Sequence, residues 1–392
     1  MNILIIGNGF DIAHNLPTKY NQFLQYIEDF SLYNNIKKEI TFDNSPCILG
    51  NRALANIDKN ILDHIIDLDT NEKNIFEELS SLIDKNTWIN YFTDLHVEIN
   101  KNDGWIDFEK EISKVIQTLD SIRNERNKTL SEEGSYYLNV NLKENEEEFI
   151  KKFFKYTYPS FSPYQMIDND EFDKYKEILI HDLNRLIRSL EIYLSTYVNS
   201  KNANKIKYID DLKIDKVLSF NYTNTYESVY CLKKNNIDFD FIHGKASILN
   251  SIDSNNMVLG IDEYLEEPDK DIDNEYVQFK KFYQRILKMT GAHYTDWLNE
   301  FKISKEKTVH VPNTKYELNI YIIGHSLDIT DKDILRPILL NDYSNVTIYH
   351  HSKKALEDQI INLVKVIGEE NLIKRTYGKN QKIKFIPIPV EE

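Results

Sequence analysis

The chain opens with Ile3-Leu4-Ile5-Ile6 running straight into Gly7-Asn8-Gly9-Phe10-Asp11. Consecutive apolar residues without alternation describe a strand covered on both faces, as at the centre of a parallel sheet. A parallel sheet needs further strands, each reached through a crossover. No β-rich run lies close behind the first one, so its partners have to come from far along the chain.

Those partners are sought in the C-terminal half. Short β-rich runs occur at Val217–Phe220, Phe239–Ile242, Met257–Gly260, Leu318–Ile323, Val346–Tyr349 and Lys384–Ile388. Helical spacing separates several of them, at Glu275–Met289 (Tyr276, Phe279, Tyr283, Ile286) and Lys353–Ile367. Alternating strands and helices imply a parallel α/β sheet.

From about residue 30 to 210 the pattern is mainly helical. Thr18 is placed to cap a helix from Lys19 to about Phe30. Tyr175, Leu179, Leu183, Leu186, Leu190, Tyr193 and Tyr197 mark a long amphipathic helix over Phe172–Val198. The polar stretch Asn124–Glu148 reads as an exposed loop. The expected architecture is a Rossmann-like parallel sheet with a large helical insertion after the first strand-helix unit. Residues 1–30 and 210–392 form the nucleotide-binding core, and residues 31–209 the insertion.

Composition narrows the function. Hydrophobic residues make up 41 % of the 392, enough for a large core, and the net charge is −15. An acidic chain does not neutralise phosphates over a broad surface, so nucleic acid is not the expected partner. Two cysteines, Cys47 and Cys231, cannot build a disulfide framework or a four-cysteine zinc ribbon. No histidine or carboxylate spacing resembles a metal-binding helix, and no metal is expected. Met1-Asn2 lacks a basic leader, the Gly7-Asn8-Gly9 turn interrupts the first apolar run, and no run is long enough for a membrane span. The cytoplasm is the expected location.

Chemistry concentrates at the ends of strands. Gly7 and Gly9 allow close approach of a pyrophosphate, with free backbone N–H groups turned toward it. The run G-x-G-x-x-G is incomplete, because Ile stands at position 12, so a purely structural turn is an equal reading. Ser219-Phe220-Asn221-Tyr222-Thr223-Asn224 offers an amide to a ribose or a water, or a side-chain-stabilised turn. Ile242-His243-Gly244 offers a base near neutral pH, or a structural histidine. Gly324-His325-Ser326-Leu327 offers Ser326 and nearby N–H groups to a second phosphate. Thr330 and Asp333 have the spacing of a capping box there, and Asp328 breaks the nucleophile-elbow pattern of serine hydrolases. Gly260-Ile261-Asp262 is a further candidate loop.

In this order the strand ends resemble the AbiH family of bacterial abortive-infection proteins. The strongest part is Ile6-Gly7-Asn8-Gly9-Phe10-Asp11-Ile12-Ala13-His14-Asn15-Leu16-Pro17-Thr18-Lys19-Tyr20. The layout is similar, more distantly, to sirtuin-like NAD-consuming domains of phage defence. That resemblance implies NAD as ligand or substrate and Asn221 and His243 as catalytic residues. It implies a cofactor site of Gly7, Asn8, Gly9, Phe10, Asp11, Thr18, Tyr222, Gly244, Gly324, Ser326 and Asp331, with Asp331 near a ribose. Asp11 could instead bond a ribose hydroxyl or act as a second acid or base. The implied activity is hydrolysis of the nicotinamide–ribose bond in an anti-phage protein, restrained by homo-oligomer assembly or a phage-encoded trigger. A nucleotide sensor without turnover and an interaction subunit of a defence system are the alternatives.

Overall fold

A computed structural model describes residues 1–43, 54–100, 106–133, 153, 169–231, 237–265, 272–308, 317–379 and 381–389. Cys47 and residues 134–148 lie outside the described residues. The elements begin with β1 (Asn2–Ile6), α1 (Asn8–Ala13), α2 (Tyr20–Asp43), α3 (Lys59–Asn71), α4 (Lys73–Ile83), α5 (Thr87–Asn100), α6 (Phe108–Glu133) and α7 (Asn169–Tyr193). They continue with α8 (Lys207–Asp210), β2 (Lys216–Ser219), α9 (Thr225–Tyr230), β3 (Asp238–Phe241), α10 (Lys281–Lys288), α11 (His293–Thr308) and β4 (Leu318–Ile323). The last are α12 (Lys332–Leu339), β5 (Ser344–His350), α13 (Lys353–Ile367), α14 (Glu369–Thr376) and β6 (Ile383–Pro387).

The strands form one sheet of six in the order β3-β2-β1-β4-β5-β6, every pair parallel. This is the Rossmann-like order, with the topological switch between β1 and β4. β1 sits at the centre and is buried on both faces. Ile3 and Ile5 join the layer containing Trp297, Leu335 and Leu363, whereas Leu4 and Ile6 join the layer of Phe10, Tyr226 and Tyr230. The sequence of β1 lacks alternation for that reason.

Two compact units divide the chain, residues 1–18, 198–246 and 285–392 in the first and 19–197 and 247–284 in the second. The first holds the sheet. In the second, the stripe on α7 is buried as its spacing predicts, from Tyr175 to Tyr193. Glu191, itself fully buried, binds Arg188 at 2.7 Å, takes the Ser247 N–H at 3.1 Å and the Asn250 amide at 2.6 Å, and bonds the Asn255 amide. One buried carboxylate thereby ties residues 247–255 to a helix some sixty positions earlier, on charge-assisted bonds of the stronger kind.

Several local expectations are corrected. α6 continues through Glu133, so the polar stretch from Asn124 begins as helix. Met257–Gly260 is buried but is not a strand; Ile261 makes only an isolated bridge to Lys280, and Gly260 packs against the Phe279 carbonyl rather than lining a binding loop. Residues 275–289 split into a 3-10 turn at Val277–Phe279 and α10, with Ile286 73 % exposed. Thr18 does not cap α2, whose first turn is held by the Lys19 carbonyl and the Gln22 side chain. Asp328, not Thr330, caps the turn before α12, taking the Thr330 N–H at 3.1 Å.

Among the described glycines, the one with least room for a side chain lies at the switch point. A methyl group added at Gly324 (φ +67°) would fall 2.0 Å from the Phe10 nitrogen and 2.5 Å from the Gly9 carbonyl carbon. Gly378 has a similar φ, +84°, and open space. Gly378→Ala is therefore expected to cost about 1–2 kcal/mol, the left-handed penalty alone. Gly324→Ala adds a backbone clash and should cost roughly 3 kcal/mol or more, or prevent soluble expression. Urea midpoints of the two variants check this; equal losses would contradict the clash.

Candidate functional site

The site follows from strand register. Ile6 pairs with Ser219 and with Ile323, and Ser219 pairs with Phe241. Four neighbouring strands therefore end at one level. The first residues beyond it are Gly7, Phe220, Ile242 and Gly324. The second are Asn8, Asn221, His243 and His325. Adjacent strands are about 4.8 Å apart, so residues distant in sequence reach the carboxyl edge side by side, where open α/β sheets bind ligands.

The glycines of this edge serve one another. Methyl groups at Gly7 or Gly9 would lie 2.9 Å from the backbone of Gly324 or His325. The Gly9 N–H donates to the Gly324 carbonyl at 2.8 Å, and the Phe10 N–H to the Gly7 carbonyl at 2.8 Å. These two N–H groups are thus engaged within the protein, and close packing of the two turns already requires the glycines. Asn8 and Gly9 are exposed at the rim. The Thr18 hydroxyl donates to Asn8 Oδ1 at 2.6 Å and so ties the chain beyond α1 back to the turn.

Behind the rim lies a buried carboxyl. Asp11, on the inner face of α1, is 1 % exposed. Thr223 donates to its Oδ2 at 2.5 Å, and Thr225 donates to Thr223 at 3.1 Å. Burial pushes the Asp11 carboxyl up to about 6, while Thr223, Thr225 and Asn221 draw it partway back. Asn221 donates its amide to the Gly7 carbonyl at 3.0 Å, and its own N–H goes to the Ser219 hydroxyl at 3.1 Å. Its donor end therefore joins β2 to the glycine turn. Phe10 is fully buried against His14, whose ring bridges the Phe10 carbonyl and the Tyr230 hydroxyl, each at 2.7 Å.

A second cluster spans the ends of β3 and β4. His243 Nε2 is 3.3 Å from Asp331 Oδ1, and His325 Nε2 is 3.4 Å from Asp331 Oδ2. One carboxyl thus faces two imidazoles. Phe220 packs edge-on to both rings, its centroid 5.7 Å from His243 and 4.3 Å from His325. His325 Nδ1 accepts the Leu327 N–H at 2.9 Å. Leu327 holds that N–H in place from the left-handed region, φ +58°, with its side chain fully buried. Such a conformation costs a non-glycine residue about 1–2 kcal/mol and gathers at functional turns. Gly244 closes the turn after His243 with its N–H on the Phe241 carbonyl at 3.0 Å. The Tyr222 carbonyl takes the Ala246 N–H at 2.8 Å. Ser326 is exposed, and its carbonyl takes the Asn362 amide at 2.9 Å.

The edge thus brings together Gly7, Asn221, His243, Gly324 and Asp331. Asp331 stands between two imidazoles. Sequence reasoning did not select His325, Thr223 or Thr225. His325 stood inside a quoted motif, but its partner is six residues on and turned back by a 3-10 turn, which no simple spacing announces. No group of three or more histidine, cysteine, aspartate or glutamate side chains suited to a metal occurs among the described residues. No helix among them is long and apolar enough to cross a membrane.

Fold and site together define a Rossmann-like α/β protein with a polar, largely buried cluster at the carboxyl edge of its sheet. Comparison with known families assigns it further. The sequence model for bacteriophage abortive infection AbiH matches residues 3–350, and the chain belongs to this family. Membership carries a role in abortive-infection defence against phage. No curated protein and no solved structure matches significantly. The family match says nothing of sirtuin-like domains.

The Asp11 carboxyl yields a pH prediction. It is protonated below about 6 in the folded chain, against an ordinary value of 3.8. The folded state therefore binds the extra proton between those values, and stability falls as pH rises from about 4 to about 6, by on the order of 3 kcal/mol. Asp11→Asn mimics the protonated form. It should flatten this part of the profile and stabilise the chain at pH 8 relative to wild type, read as urea midpoints across pH. Parallel profiles for the two proteins would contradict the assignment.

Proposed function

We propose that the carboxyl edge of this sheet binds a nucleotide, that the nucleotide is NAD, and that the site hydrolyses its nicotinamide–ribose bond. The observation that carries this reading is His243 held by Asp331 and brought level with Asn221 on the neighbouring strand. A carboxylate oxygen only accepts, so the His243 proton sits on Nε2 and the lone pair on Nδ1, the arrangement of an oriented base. In the reaction the bond between the ribose C1′ and the pyridinium nitrogen breaks. Its electron pair leaves with nicotinamide, which departs neutral and needs no acid. Water adds to C1′, and His243 takes the proton it loses. The passing oxocarbenium charge is met by fixed dipoles and by the Asp331 carboxylate. Asn221 positions the water or a ribose hydroxyl with its amide oxygen. Asn8, Gly9 and Ser326 at the exposed rim contact the remainder of the dinucleotide.

An enzyme of this kind would drain the NAD of its own cell, which suits abortive infection and demands restraint. Assembly of copies or a phage-encoded trigger supplies it in this reading. A sensor without turnover is the second reading. The bond from Asn221 to Gly7 favours it, as does the burial of Asn221, His243, His325 and Asp331, each less than a tenth exposed.

Purified protein incubated with NAD, with free nicotinamide followed by chromatography, tests the proposal. Release is expected from wild type, with a loss of about a hundredfold or more in His243→Ala and Asn221→Ala. Undiminished release by His243→Ala would remove it as the base. NAD recovered bound but intact would establish the sensor instead.

A further inference from the structure

We propose that His325 is a positioning residue for His243, acting through Asp331; this rests on the reading of His243 as a base. The Leu327 N–H, held in place by a left-handed backbone, points at His325 Nδ1 at 2.9 Å. That ring nitrogen is the acceptor, so the His325 proton is on Nε2, 3.4 Å from Asp331 Oδ2. Asp331 bonds the His243 Nε2 proton on one oxygen, at 3.3 Å, and turns its other oxygen toward the His325 N–H at ion-pair distance, without a hydrogen bond. The sequence of contacts has a direction. The strained turn sets the tautomer of His325. His325 keeps Asp331 as an acceptor in one rotamer. Asp331 in turn sets the tautomer of His243, leaving its lone pair on Nδ1. Phe220, edge-on to both rings, keeps the two imidazoles from turning away. Partners that orient a reacting imidazole in this way matter because the wrong tautomer cannot serve as the base.

Two near-isosteric substitutions separate this role from a merely structural one. In His325→Gln the amide nitrogen stands where Nε2 stood and still turns an N–H toward Asp331, but the acceptor for Leu327 is lost. In His325→Asn the amide oxygen stands where Nδ1 stood and still accepts from Leu327, but the N–H facing Asp331 is lost. Long-range proton–nitrogen NMR on protein with isotope-labelled histidine reads the His243 tautomer directly, without turnover. The proton is expected on Nε2 in wild type and in His325→Gln, and distributed over both nitrogens in His325→Asn. Nicotinamide release should follow, near wild type for Gln and lower by about tenfold or more for Asn. A wild-type His243 protonated on Nδ1, equal behaviour of the two variants, or rescue by Asn alone would overturn the proposal. The wild-type spectrum decides the first point even if a variant fails to fold. Absence of nicotinamide release with the tautomers as stated would overturn turnover by the untriggered chain while the tautomer set by His325 stands.

Discussion

Gly324 rests against the Gly9–Phe10 peptide so closely that a hydrogen is the only side chain the contact admits. This contact joins the turn after β1 to the turn after β4 at the topological switch of the sheet. Everything at the carboxyl edge takes its level from it. Gly7 presents its carbonyl to Asn221, Gly9 donates to Gly324, and the chain leaves Gly324 toward His325 and the left-handed Leu327. In open α/β folds the switch point is a crevice that admits a ligand. Here the backbone of the protein itself occupies its base, and the polar groups stand around that filled centre.

Two clusters result, with different chemistry. On the side of α1 and α9, Asp11 sits among threonine hydroxyls with its carboxyl pushed toward the protonated form by burial. Beyond β3 and β4, Asp331 faces two imidazoles. The first arrangement suits a group kept neutral and bonded. The second suits a carboxylate that bonds one imidazole and faces the other. Phe220 and Asn221 lie between them just beyond the end of β2, Asn221 bonded to the glycine turn and Phe220 packed on the two rings.

Much of the fold was legible because burial leaves a direct trace in residue type. The unbroken apolar β1, the runs of β4 and β6, the span of α13 and the stripe of α7 follow from periods of two or 3.6, or from burial on both faces. Met257–Gly260 misled because a buried apolar run carries the same composition whether or not it pairs. Thr330 misled because Asp328, two residues earlier, is an equally good cap and is the one the chain uses. The candidate site was legible in part. Strand-end motifs pointed to Gly7, Asn221, His243 and Gly324, but their juxtaposition depends on register, which no local pattern encodes. His325 and Thr223 went unselected for that reason. The pairs they make, with Asp331 and Asp11, join turns that only the folded sheet brings together. The glycines were singled out correctly as positions of close approach, yet what approaches is the opposing turn.

Titration of NAD into protein carrying isotope-labelled histidine shows whether the edge around His243 and His325 is a nucleotide site. The ring signals of His243 and His325 are expected to shift together and saturate at one NAD concentration, as two imidazoles facing one carboxyl would. Signals that stay unmoved through millimolar NAD, or a shift confined to histidines elsewhere in the chain, would contradict it.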